Sequence, residues 1–350
     1  MKNNLRIYVI PCSGREFVSQ LALLGEVHDA FKVLRCKFKG SKDYAPDIAL
    51  GCSGGNIAGY IALSADWSYC GIIQSTRCID RQMFISSWVP LLPSWCMLPL
   101  TGSIYRQGYG VHPYFKTMFT PSSVQRVEIW TCTFNTKHSK AQFFCNRSCE
   151  NAILQEKGHE KLYCSLPFSY LNGNIKEISD VTTASASVPF LVQSHDVRDI
   201  PYQDGAILYS SPLIPMSDSI RQALEDKHLH LFYFCSYDMD DVFGNNIIKM
   251  SQPFQAMIHS TILRDRNASV DLLRSLCCDE LIYLQKRNIC TEELAEIIED
   301  CECHNHFVII IYPIKTCIIE MDGFSHCDIV NAMNYIKNNN YGVHVWMTSD

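Results

Sequence analysis

Charge is scarce in this chain. Only 19% of the residues are Asp, Glu, Lys or Arg, below the usual level of about a quarter. Acidic residues outnumber basic ones, for a net charge of −6. Lys37, Lys39, Lys42, Arg77 and Arg81 are scattered, and no basic stripe forms of the kind that tracks a nucleic-acid backbone. Nucleic acid is therefore not an expected partner. No apolar run reaches the roughly 18 residues that a membrane-spanning helix needs. The nearest, 88–100, holds Pro90, Pro93 and Pro99, which exclude a regular helix. The opening Met1-Lys2-Asn3-Asn4 has no apolar core of the kind a secretory leader carries. Internal repeats, low-complexity tracts and Ser/Gly linkers are also missing.

What is present is apolar. Hydrophobic residues make up 47% of the 350, enough for a substantial core. Cysteine is abundant, at 18, yet Cys132, Cys164, Cys235 and Cys317 lie inside apolar runs. There a free thiol packs as a small hydrophobe, and disulfide frameworks belong mainly to short secreted chains. Reduced thiols and an intracellular, cytoplasmic setting are expected. The triplets beginning at Asn146 and Asn267 then carry no glycan.

Short runs rich in Val, Ile, Phe and Tyr predict strands over 5–10, 48–50, 127–134, 230–235 and 307–312. Several are nearly unbroken, as in strands covered on both faces. Helical patterns lie between them, over 16–34, 56–65, 217–225 and 327–338. The alternation predicts an α/β fold, with a central mostly parallel sheet and helices on both faces. One α/β domain over 1–250 and a C-terminal α/β extension over 251–350 is the simplest division.

Gly51-Cys52-Ser53-Gly54-Gly55 fits the pattern of a nucleophile elbow, G-x-S-x-G. The strand at 48–50 leads in, and an apolar helix leads out. A sharp strand-to-helix turn strains the backbone at Ser53 and requires small neighbours, here Gly51, Gly54 and Gly55. It also aims the serine at the helix N-terminus, where the dipole favours developing negative charge.

A serine hydroxyl needs a base. None of the 12 histidines stands out; His28, His138, His195, His228 and His304 read as surface or structural residues. A carboxylate is the alternative. Asp204-Gly205-Ala206 forms a tight-turn signature 151 residues after Ser53, and Asp322-Gly323 is a competing copy.

The elbow, the later Asp-Gly-Ala turn and the small-residue segment 184–190 before it (Ala-Ser-Ala-Ser-Val-Pro-Phe) together resemble the patatin-like phospholipase family. The resemblance covers roughly residues 5–236. It implies a three-layer α/β architecture and a Ser–Asp dyad without histidine, here Ser53 and Asp204. It favours Asp204 over Asp322, which lacks the upstream segment. It further implies hydrolysis of glycerolipid acyl esters, phospholipase A-type, with an oxyanion hole in the loop after the first strand. Here that loop reads Pro11-Cys12-Ser13-Gly14-Arg15. Ser13, Gly14 and Arg15, with Gly54, are the expected oxyanion-hole residues. Pro11, Cys12 and Ser13 stand where the family has glycines, and proline has no N–H to donate.

No metal or organic cofactor is expected. Cys301, Cys303, His304 and His306 have zinc-ligand residue types without the usual spacing. Asp238, Asp240 and Asp241 lack the calcium-loop pattern and read as a solvated turn. The strip 88–100, with Trp88, Trp95 and Leu100, suits either a core-covering loop or shallow insertion at a lipid surface, so a peripheral membrane contact is expected. An acyl thioesterase or transacylase, and a catalytically weak or silent lipid-binding protein on the same fold, are the alternatives.

Overall fold

Ile7 and Val9 project to one side of the first strand and Tyr8 and Ile10 to the other, and all four are buried. That pattern requires cover on both faces. The structure is a computed structural model describing residues 3–37, 44–79, 81–83, 85–86, 98–101, 103–154, 168–239, 253–276, 280–314, 325–339 and 341–349.

Among the described residues eleven strands form one large sheet: β1 (Asn3–Ile10), β2 (Ile48–Cys52), β3 (Glu128–Asn135), β4 (Lys140–Cys145), β5 (Phe168–Tyr170), β6 (His195–Val197), β7 (Ile200–Asp204), β8 (Lys227–Phe234), β9 (Leu281–Ile289), β10 (Phe307–Pro313) and β11 (Tyr341–Thr348). Their order is β9-β11-β10-β8-β1-β2-β3-β4-β5, with β6 and β7 attached through β3. The central run β10-β8-β1-β2-β3 is parallel. The outer pairings β10–β11, β11–β9, β3–β4 and β3–β7 are antiparallel. The fold is thus α/β with a mostly parallel central sheet.

The main helices are α1 (Phe17–Lys37), α2 (Ser53–Ser64), α3 (Tyr69–Ser75), α4 (His112–Met118), α5 (Ile175–Ser185), α6 (Leu213–Ala223), α7 (Pro253–Arg274), α8 (Thr291–Cys301) and α9 (His326–Asn338). One core packs α1, α2, α5, α8 and α9 against Tyr8, Ile10, Phe232 and Ile309. The other packs α6 and α7 against Ile7, Val9, Leu231 and Ile310. Helices therefore cover both faces. The strands of 281–348 extend the same sheet through the β8–β10 pairing.

Most predicted elements appear with shifted ends. The helix expected at 56–65 starts at Ser53, and the one expected at 217–225 starts at Leu213. No helix among the described residues is long and apolar enough to cross a membrane.

One edge of β3 serves two strands. β2 pairs with it as far as Cys132, opposite Cys52. From Thr133 onward its partner is β7, with Asp204 opposite Thr133. β4 occupies the other edge. β2 leaves the sheet at Cys52 to become α2, and β7 takes the vacated edge.

The entry to β3 is fixed by Asn146, which is fully buried. It accepts from the Ile129 N–H at 2.8 Å and donates to the Val124 and Val127 carbonyls at 2.6 and 2.8 Å. Its amide is committed to the fold, in keeping with the reading that it carries no glycan. Asn146→Ala leaves three buried backbone groups unpaired, so urea unfolding should show a loss of at least about 2 kcal/mol.

Candidate active site

Ser53 is the first residue of α2 and has φ +54°. For a residue with a side chain this left-handed conformation costs about 1–2 kcal/mol. The surroundings hold it there. The Ser53 N–H donates to Ser185 Oγ at 2.9 Å, and Ser185 Oγ donates to the Cys132 carbonyl at 2.7 Å. One turn on, Asn56 Oδ1 accepts from Thr131 Oγ1 at 2.9 Å, and its Nδ2 reaches Thr182 Oγ1 at 3.3 Å. The elbow is thereby bolted to β3 on one side and to α5 on the other.

Asp204 ends β7 and is 1% exposed. The Ser53 hydroxyl lies near enough to its carboxylate to favour the charged form. The carboxylate accepts from the Ala206 N–H at 2.9 Å and from the Cys52 thiol at 3.5 Å. Burial pushes the carboxyl up to about 6, against the lowering effect of those three groups. Gly205 lets the turn lie on β3: a Cβ there would sit 2.6 Å from the carbonyl carbon and the sulfur of Cys132. Burial raises the Cys12 and Cys52 thiols well above their usual range. They remain neutral and are not nucleophiles.

The loop after β1 packs directly on the elbow. Gly51, the penultimate residue of β2, lies close against Asn56, and Gly54 faces the Gly14 carbonyl. At Gly55 a Cβ would lie 2.2 Å from both the Ile10 and Pro11 carbonyl oxygens. Ser13 is buried, and its hydroxyl donates to Gln20 Oε1 at 2.7 Å. Gln20 Nε2 in turn donates to the Pro11 and Phe234 carbonyls at 2.8 and 3.1 Å. Cys12 N–H donates to the Ser210 carbonyl at 2.8 Å. Gly14 has φ +55° and opens a single 3-10 turn, Gly14–Glu16. The Ser13 and Gly14 N–H groups have no protein acceptor among the described residues. The N–H of Gly54, in the first turn of α2, has no intrahelical acceptor. The Arg15 side chain lies outside the described side chains.

Ser53, Asp204, Ser13, Gly14, Gly54, Gly55 and Gly205 therefore converge. Ser185 and Asn56 were not anticipated, although Ser185 lies in the small-residue segment that drew attention to Asp204. No histidine hydrogen-bonds Ser53 or Asp204 among the described residues. His195 instead sits 3.3 Å from Asp180, and His28 beside Asp29. Asp322-Gly323, Asp240, Asp241 and residues 88–97 lie outside the described residues. Asp238 departs from the expected solvated turn. It is buried and meets Arg287 at 2.7 Å, which offsets the cost of burying its charge. A small apolar cavity runs along α2 beyond the serine, bounded by Ile57, Tyr60, Ile61, Tyr114 and Phe115.

No protein-family model matches the chain. No curated protein matches it either. Among solved structures it is similar to VipD from Legionella pneumophila, at 10% identity and a TM-score of 0.34, over 97% of this chain and 71% of that one. A likeness of this size identifies neither a family nor an activity.

Two outcomes follow from the geometry. Helix propensity alone favours Gly55→Ala by about 1 kcal/mol. The collision with two backbone carbonyls outweighs that, and chemical denaturation should show a net loss of about 1–3 kcal/mol. The second concerns pH. Asp204 has a higher pKa folded than unfolded, so its ionisation opposes folding increasingly as pH rises from about 4 to about 6. Asp204→Asn should therefore be more stable than wild type at pH 8 by about 1–3 kcal/mol, a gap that closes as the pH falls to about 4.

Proposed function

We propose that this chain is a serine acyl hydrolase that cleaves glycerolipid acyl esters, in the manner of a phospholipase A. One observation carries the reading: Ser53, at a strained strand-to-helix turn, is brought beside a buried carboxylate, Asp204, whose pKa burial raises to about 6.

In this scheme Asp204 takes the hydroxyl proton as Ser53 attacks the ester carbonyl. A carboxylate with a raised pKa is a better base than an ordinary one and is still mostly ionised at pH 7. The tetrahedral oxyanion is met by the Gly54 N–H and by the backbone N–H groups of Ser13, Gly14 and Arg15. The proton passes to the departing alcohol, which leaves an acyl group on Ser53. Water, deprotonated by Asp204, then releases the fatty acid and restores the serine. The scheme requires no metal or organic cofactor. The tryptophan-bearing strip 88–100 is the proposed peripheral contact with the membrane surface, in an otherwise intracellular, cytoplasmic protein.

A second reading rests on two observations. Pro11 offers no N–H, and Ser53 is only 3% exposed. Both suit a silent lipid-binding protein on the same fold. A thioesterase or transacylase would use the same acyl-enzyme with a different leaving group or acceptor.

Hydrolysis of fluorogenic phospholipid in vesicles, with Ser53→Ala alongside, tests the assignment. The account expects a loss of at least about 1,000-fold in the variant. It also expects a wild-type kcat/KM that rises with pH through about 6 and then levels off. Equal rates in both proteins would refute Ser53 as nucleophile. A folded wild type without activity would favour the silent protein, and preference for a thioester or an alcohol acceptor would favour the other enzymes.

A further inference from the structure

The four residues 208–211, just after the Asp204-Gly205-Ala206 turn, are gripped by one face of α7. Arg264 donates to the Leu208 carbonyl, and its guanidinium lies over the Tyr209 ring, 5.5 Å from the centroid. The Ser210 hydroxyl donates to the Thr261 carbonyl at 3.1 Å. The Ser211 hydroxyl donates to Asp265 Oδ2 at 2.5 Å and accepts from the Leu213 N–H at 3.2 Å. Thr261, Arg264 and Asp265 share a helix face through the i, i+3, i+4 spacing. Asp265 is completely buried. Burial pushes its carboxyl up to about 7, and Arg264 is the charged group that lowers it. A carboxylate so placed is costly unless it is hydrogen-bonded or paired, here by Ser211 and Arg264.

What depends on it is visible at Ser210. The carbonyl of that residue accepts the Cys12 N–H at 2.8 Å. Cys12 opens the loop whose next N–H groups, on Ser13 and Gly14, have no protein acceptor among the described residues. The segment from Asp204 to Ser211 thus touches the site twice. One end carries the carboxylate beside Ser53, and the other sets the loop opposite it.

We propose that Asp265, reaching from α7, is a positioning residue for the Ser53 site: it fixes Ser211 and hence the Ser210 carbonyl that holds the 12–15 loop. The inference rests on the acyl-hydrolase reading for its catalytic consequence, but not for the structural coupling. Without the carboxylate, Ser211 loses its acceptor, the 208–211 segment loosens and the Cys12 bond opens. The loop N–H groups then drift from the oxyanion position. Asp265 is itself fully buried and reaches the site only through Ser211, so the effect is expected in kcat and not in KM.

The test compares full-length wild type with Asp265→Ala, Asp265→Asn and Ser211→Ala. Amide hydrogen exchange is followed over residues 11–16, and kcat and KM are measured on a soluble short-chain ester. In Asp265→Ala, exchange at 11–16 should rise tenfold or more while β1 stays protected. kcat should fall by about 10–100-fold, less than outright removal of an oxyanion donor costs, with KM within about twofold. Asp265→Asn keeps an acceptor oxygen for Ser211 and should recover most of both effects. Should Asp265→Ala not fold, Ser211→Ala cuts the same link from the other side and is held to the same expectation. Wild-type exchange at 11–16 in a folded variant overturns the inference, as does an unchanged kcat in an enzyme shown to depend on Ser53. A wild type that hydrolyses nothing, with exchange at 11–16 still coupled to Asp265, defeats the acyl-hydrolase reading and leaves the coupling standing.

Discussion

A carboxylate removed from water must find its hydrogen-bond donors in the protein. Asp204 finds the Ala206 N–H and the Cys52 thiol, and the nearby Ser53 hydroxyl also favours its charged form. The rest of the site follows from how the chain brings those donors to one point. β3 offers a single edge, first to β2 and then to β7. The changeover falls between Cys132 and Thr133, which places Asp204 in line with β2, just past Cys52. The strand-to-helix turn at Ser53 and the arrival of Asp204 are therefore one event in the sheet. If β2 continued, Asp204 would have no place; if β7 did not replace it, Ser53 would face no carboxylate.

The close approach of two loops completes the arrangement. The carbonyls of Ile10 and Pro11 lie where a Cβ of residue 55 would be, so the loop after β1 rests on the elbow itself. Gln20 gathers that loop from inside by bonding Ser13, Pro11 and Phe234. Ser185 and Asn56 tie the elbow to β3 and α5. Such cross-bracing maintains a serine at positive φ against about 1–2 kcal/mol of strain. In the proposed acyl transfer it would also limit reorganisation, with the N–H groups aimed before any charge develops.

The central strands were legible because strands covered on both faces are apolar throughout, as Phe307–Pro313 shows. The elbow was legible because its glycines are forced by contact. Asp204 was not legible alone, since Asp-Gly turns are common, and only the segment 184–190 set it apart from Asp322. The antiparallel additions escaped notice for a physical reason. β9 is largely exposed and mixes polar with apolar residues, and β7 is a short strand containing Pro201. α7 carries many polar residues, and its role depends on Thr261, Arg264 and Asp265 meeting residues some 50 positions earlier. No local pattern encodes that. Asp238 was misread because its partner, Arg287, lies 49 residues away.

The central claim is that Asp204 makes Ser53 nucleophilic. The most direct measurement is the rate at which a fluorophosphonate probe modifies the purified protein, with the adduct located by peptide mass spectrometry. The account predicts one adduct, on Ser53, absent in Ser53→Ala and formed far more slowly in Asp204→Asn although that variant is folded. Equal labelling of wild type and Asp204→Asn, or an adduct on another residue, would contradict it.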